Sequence, residues 1–151
     1  MGFLWHGYEV DDLTRLLLEA RRTLAAELAA ELAERGYEDL RPGHAALFLT
    51  IDRRSGSRLV EMAEEARVTK QAMMALVDDL ESRGYVRRVA DPSDTRAKLV
   101  RLTTRGRTAA AQCRRSVLAV DQRTRRRVGD RGYDTLIDVL TELAEPADEE
   151  E

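Results

Sequence analysis

Basic side chains dominate residues 83–107, and their charge is the first chemistry that the sequence offers. Eight arginines and lysines stand there against two aspartates, although the whole chain has 25 basic and 28 acidic residues. A local positive field attracts a polyanion such as a nucleic-acid backbone, whatever the net charge of the chain. The alternative is an ordinary solvated basic surface. The basic residues are Arg83, Arg87, Arg88, Arg96, Lys98, Arg101, Arg105 and Arg107, and the acids are Asp91 and Asp94.

A helix just before this segment presents an outward face that suits the major groove of DNA. The apolar periodicity predicts a helix over 70–83, with Thr69 as the N-cap whose hydroxyl accepts a first-turn amide. The inward face is predicted to hold Ala72, Met73, Leu76, Val77 and Leu80. The outward face is predicted to hold Lys70, Gln71, Met74, Ala75 and Asp78.

The types of the outward residues indicate how this helix would read bases. Gln71 can pair with adenine through two hydrogen bonds, and Met74 and Ala75 can pack on thymine methyl groups. Lys70 can reach a phosphate or a guanine. A groove-facing surface without arginine favours half-sites that contain A·T pairs. For Met74 the alternative is an exposed methionine with no role in binding.

A turn of sequence DPSDTR follows, between predicted strands at 85–90 and 97–102. Proline sets one φ in such a turn, while aspartate and serine side chains bond nearby amides. We expect Asp94 to brace the guanidinium of Arg96, which would then enter the narrow minor groove. The alternative is a surface ion pair worth ~0–1 kcal/mol. Phosphate contacts, which set register without reading sequence, are assigned to Arg87, Arg88 and Lys98.

These groups need a scaffold of helices around a short hairpin. The fold class predicted is mostly α with a small β-hairpin wing, a winged helix-turn-helix with N- and C-terminal dimerisation helices. Gly84 is predicted to end the helix before the hairpin, and Thr103 to cap the helix after it. The remaining predicted helices lie at 9–35, 44–51, 58–66, about 103–128 and after Gly132.

One domain is predicted to span residues 1–151. The leucine stripes of the outer helices have no evident partner in so small a chain, so we expect them to pair across a two-fold axis in a homodimer. The alternative is an intramolecular bundle. The predicted parts are dimerisation helices at 9–35 and 104–145, a winged DNA-binding module at 41–102 and an acidic tail at 146–151.

Polar and aromatic residues near the first two helices are candidates for binding a small effector. An aromatic or anionic molecule could use them, with Arg21 and Arg22 as further counter-charges, although they could equally pack the dimer interface. The candidates named for this site are Trp5, Tyr37, His44 and Arg15, with His6 and Tyr8 nearby.

Other classes of function find little support in the sequence. There is no glycine-rich phosphate loop and no nucleophile–base pair with plausible spacing, so catalysis is not expected. No cofactor is expected, and the two histidines, His6 and His44, lie too far apart to indicate a metal site. The single cysteine, Cys113, and the lack of a long apolar run favour a cytoplasmic protein. A winged-helix module that binds other proteins instead of DNA stays open.

The sequence resembles the multiple-antibiotic-resistance regulator (MarR) family. The resemblance rests on VTKQAMMALVDDLESRGYV, on the RR, DP, D and R of the wing and on LTTRG, and it covers nearly the whole chain. It implies a homodimer that binds a pseudo-palindromic operator, usually as a repressor, and that a small ligand often releases. It assigns recognition to Thr69, Lys70, Gln71 and Met74, and the wing tip to Asp94 and Arg96. The reactive first-helix cysteine of the peroxide-sensing members is missing.

Overall fold

The computed structural model describes residues 12–145, and it has six helices and three strands in that range. The predicted effector residue Trp5, residues 9–11 of the first predicted helix and the acidic tail at 146–151 lie outside the described residues. The elements are α1 (Leu13–Glu34), α2 (Pro42–Thr50), β1 (Ser57–Arg58), α3 (Leu59–Glu65), α4 (Lys70–Ser82), β2 (Val86–Asp91), β3 (Asp94–Leu102), α5 (Thr104–Val128) and α6 (Asp130–Ala144).

The predicted fold class is confirmed, with one strand more than expected. The sheet is antiparallel in the order β1–β3–β2, and β1 pairs Ser57 with Val100 and Arg58 with Leu99. No strand was predicted between the helices at 44–51 and 58–66, because a two-residue strand has no periodicity to detect. The pairing fastens the start of α3 to the hairpin, which therefore grows out of the helix-turn-helix.

The segment from α2 to β3, called here the winged module, has its own core. Large apolar side chains from every helix of the module meet the inner ends of the strands and the inward stripe of α5. The phenyl ring of Phe48 packs edge-on against Tyr85, with ring centroids 6.0 Å apart. The most deeply buried residues of this core include Leu47, Phe48, Met62, Met73, Val77, Leu80, Tyr85, Val86, Val100 and Cys113.

A glycine at the start of α5 lets this helix pack closely against the hairpin. The hydroxyl of Thr103 accepts the Gly106 amide (3.0 Å) and donates to the Gly84 carbonyl (2.7 Å), which caps the helix as predicted. A Cβ added at Gly106 would lie 1.8 Å from the backbone oxygen of Tyr85, so only glycine fits. Gly84 has φ +75° and ends α4 in the left-handed conformation, also as predicted.

Helices α1 and α6, called here the helical arms, pack on α5 but bury little. Leu32 is the one buried residue of α1, and α6 has none within the described chain. Leucines on all sides of the first turns of α1 are exposed, namely Leu13, Leu16, Leu17 and Leu18. None of the helices in residues 12–145 combines the length and the apolar character that crossing a bilayer requires.

Candidate nucleic-acid interface

The first turn of α4 stands on the surface with its cap in place. The Thr69 hydroxyl accepts the Ala72 amide at 3.1 Å, while Met73 and Val77 are 0% exposed and anchor the opposite side of the helix. All five residues predicted to face outward are exposed, namely Lys70, Gln71, Met74, Ala75 and Asp78. Their contacts with DNA stay a prediction.

Ala72 corrects the predicted face of this helix. It was expected in the core, but it is exposed, because the buried stripe is centred on Met73, Val77 and Leu80. Ala72 lies about 100° around the helix axis from Met73, which puts it at the border of the outward face. The surface that can enter a groove is therefore wider than predicted and carries two alanines, Ala72 and Ala75.

A buried histidine fixes the middle of α4. The Nδ1 atom of His44 accepts the Arg41 amide (3.0 Å), so the imidazole is protonated at Nε2, which lies 2.9 Å from the Asp79 carboxylate. His44 is 2% exposed. Burial lowers the pKa of this imidazole, although the carboxylate of Asp79 opposes that shift. His44 was predicted as an effector residue; the structure gives it a structural position instead, capping α2 and holding α4.

The polar contacts continue from His44 towards α5. Arg83 Nε donates to Asp79 (2.8 Å), and Arg83 Nη1 donates to the backbone oxygen of Asp39 (3.1 Å). The Asp39 carboxylate accepts the hydroxyl of Tyr85 (3.0 Å), and Arg105 donates to that same hydroxyl (3.0 Å). Arg83 and Arg105, both part of the basic run, are thus engaged in contacts within the protein, although the Arg105 side chain stays exposed.

An ion pair that was not predicted from the sequence braces the wing. Arg58 Nε donates to Asp91 Oδ2 at 2.9 Å, which ties the N-cap of α3 to the end of β2. The other oxygen of Asp91 accepts the amide (2.8 Å) and the hydroxyl (2.7 Å) of Ser93. These bonds to Ser93 and Arg58 lower the pKa of Asp91 to about 2. The signal was hidden because the two partners are 33 residues apart and nothing predicted β1.

Asp94 and Arg96 are at the wing tip, but their predicted contact is wrong in detail. The Asp94 carboxylate accepts the backbone amide of Arg96 at 3.1 Å, and no ion pair between the two side chains is found within the described residues. A turn of this kind lets the aspartate bond the amide two residues on. The Arg96 guanidinium is exposed, and so is Lys98.

The two arginines of β2 differ in their surroundings. Arg87 is exposed, whereas the side chain of Arg88 is 24% exposed and pairs with Asp78 (2.5 Å) and with Glu81. The Arg88 amide also donates to Glu81 at 2.8 Å. Arg88 therefore fastens β2 to α4 and neutralises Asp78 on the outward face. A phosphate contact from Arg88 would require breaking these bonds.

The predicted effector residues within the described chain do not form one site. Tyr37 is half-buried and packs against the core, while Arg15 is exposed and pairs with Glu19 at 2.9 Å. Arg15 is at the start of α1 and Tyr37 follows its end, so about 28 Å of helix separates them. Both were chosen by residue type, since neither has a periodic signal that predicts its neighbours.

An apolar groove lies between the helical arms and α5. It has a volume of about 580 Å³, and aliphatic side chains form nearly all of its wall. Arg21, Asp121, Thr124 and Tyr133 supply the polar atoms near it. The main aliphatic residues are Leu17, Leu24, Leu28, Val117, Val120, Leu136, Ile137 and Leu140.

Cys113 lies on the inward stripe of α5. The thiol is buried, and the burial raises its pKa to about 11, which suppresses the reactive thiolate at neutral pH. Residues 12–145 contain no group of three or more His, Cys, Asp or Glu side chains arranged to hold a metal ion.

The sequence is similar to a known protein family and to a curated protein. A family model described as MarR family matches residues 38–97, from just before α2 into β3. The exopolysaccharide II synthesis transcriptional activator ExpG of Rhizobium meliloti (strain 1021) is 28% identical over 105 residues. That alignment covers 70% of this chain and 54% of ExpG, so the chain spans about half the length of its curated relative.

Several solved structures are similar over nearly the whole chain. The transcriptional repressor CouR bound to a 23-mer DNA duplex is 25% identical, with a TM-score of 0.80, covering 95% of this chain and 100% of that one. CouR from Rhodococcus jostii RHA1 bound to p-coumaroyl-CoA is 27% identical, with a TM-score of 0.74 and coverages of 91% and 94%. A mutant of MarR from E. coli complexed with operator DNA is 25% identical, with a TM-score of 0.77 and coverages of 88% and 94%.

Proposed function

We propose that this chain is a regulator of the MarR family, that it binds a pseudo-palindromic operator as a homodimer and that it acts as a transcriptional repressor. Helix α4 would enter the major groove through Lys70, Gln71 and Ala75, and the wing would lie along the neighbouring backbone. The observation that carries the proposal is the capped, exposed first turn of α4 beside an exposed basic wing.

We assign the DNA contacts according to whether each side chain is exposed or already bonded within the protein. Arg96 at the wing tip suits the minor groove, and Arg87 and Lys98 are exposed for phosphates. Arg88 is left out of the contact set, because its bonds to Asp78 and Glu81 occupy it. The outward alanines and Met74 favour thymine methyl groups, which keeps the expected preference for A·T pairs. The similar CouR and MarR structures contain bound DNA, which supports DNA as the partner of this surface.

Dimerisation is proposed through the helical arms. Exposed leucine, isoleucine and valine side chains on α1 and α6 form an apolar surface that one subunit leaves open. Patches of this kind on a small protein mark an interface. A second copy of the same chain is the occupant that a two-fold axis provides, since it brings the same apolar surface.

Release by an effector is proposed at the groove between the arms and α5. Its aliphatic wall would take the apolar body of a ligand, and Arg21 would pair with an acidic group. The p-coumaroyl-CoA bound to the related CouR is a ligand with both features. Thermal shifts with aromatic acids and their CoA thioesters, on the wild type and on Arg21→Ala, test this site.

The central experiment selects bound sequences from a random duplex pool and titrates the winner at several salt concentrations. We expect a two-fold-symmetric motif and a steep loss of affinity with added salt, because phosphate contacts release counterions. A folded dimer that enriches nothing would indicate the protein-binding alternative. A reporter gene behind the selected operator then decides the sign of regulation, which matters because ExpG is described as an activator.

A further inference from the structure

The turn between α3 and α4 contains an arginine in a conformation that favours glycine. Arg67 has φ +52°, the one positive φ outside the glycines of residues 12–145. Its amide donates to the Glu64 carbonyl (3.1 Å), and the Val68 amide donates to the Ala63 carbonyl (3.0 Å). This closure after a helix usually has glycine at the left-handed position, because a Cβ is disfavoured there.

The Arg67 side chain makes a contact that glycine cannot make. Its Nη1 atom donates to the backbone oxygen of Ala144, the last residue of α6, 77 positions later in the sequence. Carbonyl groups at the end of a helix lack partners within the helix and carry the negative end of its dipole. A guanidinium there satisfies both the hydrogen bond and the charge. A strained backbone retained beside such a contact points to a role for the side chain.

We propose that Arg67 is a positioning residue that latches α6 to the helix-turn-helix. The inference rests on the proposed function, in which α6 belongs to the dimer interface and α4 reads DNA. Thr69, the cap of α4, comes two residues after Arg67, so the turn transmits the position of α6 to the recognition helix. The latch would thereby set the separation of the two α4 helices, which must match successive major grooves.

Arg67→Gly separates this role from a local one, since glycine suits the backbone of the turn and removes only the side chain. We expect amide hydrogen exchange in the last turn of α6 to become about tenfold faster, as for the loss of one charge-assisted hydrogen bond. We also expect weaker discrimination between the selected operator and versions with one base pair inserted or deleted at its centre. A loss of about fivefold is anticipated, since part of the coupling between the half-sites is removed.

Two further variants act as controls. Arg67→Lys keeps a cation and the same backbone strain, and it should retain most of the protection at α6. Arg53→Gly removes the same charge from an exposed position in the loop before β1 and should behave as the wild type. Unchanged exchange at α6 and unchanged spacing discrimination in Arg67→Gly would overturn the latch. If the wild type selects no DNA, the proposed function fails, while the exchange measurement still supports or overturns the latch.

Discussion

The winged module and the helical arms differ in the burial of their apolar residues. In the winged module, Met62, Met73 and Leu80 are completely buried, whereas in α6 Leu143 is 57% exposed. Both regions have apolar residues at helical spacing, so the periodicity alone does not distinguish them. The difference is that the apolar side chains of the module meet in the core, while many of those on the arms stay exposed, at the surface where we propose that a second copy packs.

The largest effect is expected when the exposed apolar surface of the helical arms is removed, because that surface is what distinguishes them from the winged module. The double variant Val139→Glu with Leu143→Glu puts two charges on the exposed side of α6, at residues that do not line the groove against α5. We expect a folded monomer whose affinity for DNA falls on the order of 10²–10⁴-fold, because the two half-sites no longer bind as one ligand. Light scattering after size exclusion and an operator titration measure both effects. Val60→Glu, at an exposed apolar position of the winged module, should leave the dimer intact; dissociation of both variants would contradict the assignment.

Two adjacent methionines test the core of the winged module. Met73→Ala should lower the free energy of unfolding by about 2–5 kcal/mol, because it opens a cavity beneath α4. Met74→Ala removes the same atoms from the exposed side, so its change should stay within about 0.5 kcal/mol. Urea denaturation of both variants measures the difference. Equal effects would mean that the face of α4 is assigned incorrectly.

The wing tip tests whether the basic surface binds DNA. Arg96→Ala should weaken binding to the selected operator by about 1–3 kcal/mol without changing the melting temperature. Arg88→Gln is the matched comparison, since it should lower the melting temperature by releasing Asp78 and Glu81. If Arg96→Ala bound as tightly as the wild type, Arg96 would be removed from the interface.

Acid should weaken the winged module through His44, and this is the smallest effect. Burial lowers the pKa of His44 in the folded protein below the ordinary value of 6.5. Well above pH 6.5 the imidazole is neutral in both the folded and the unfolded state, so it does not make stability depend on pH. As the pH falls below 6.5, the unfolded chain takes up the proton first, and the free energy of unfolding decreases. His44→Gln should flatten this dependence in urea titrations between pH 7.5 and 5.5; an unaltered slope would argue against it.

The sequence predicted the six helices, the hairpin and most of the exposed residues of α4, because these depend on local chemistry. Thr69, Gly84 and Thr103 signal the ends of helices through their own side chains or conformations, and all three are where they were expected. The fold class needed only the order of these elements.

Contacts between distant segments were beyond the sequence, because no period or cap encodes them. Arg58 reaches Asp91 only when β1 has formed, and β1 is too short to predict. His44 was predicted to bind an effector because the sequence does not show that its partners are Arg41 and Asp79. Ala72 was misplaced because a helical wheel does not indicate where the stripe of buried residues ends.

The close approach of Gly106 to the Tyr85 carbonyl couples the tilt of α5 to the position of the hairpin. From that contact, helix α5 extends for 25 residues, about 37 Å, to the helical arms. The backbone of α5 at Gly106 lies directly against the backbone of Tyr85. No flexible side chain therefore separates the two to absorb a tilt of the helix. We therefore expect a rotation of α5 by a few degrees at the arms to move β2 with it, so that a small displacement at one end of the molecule changes the angle of the wing at the other.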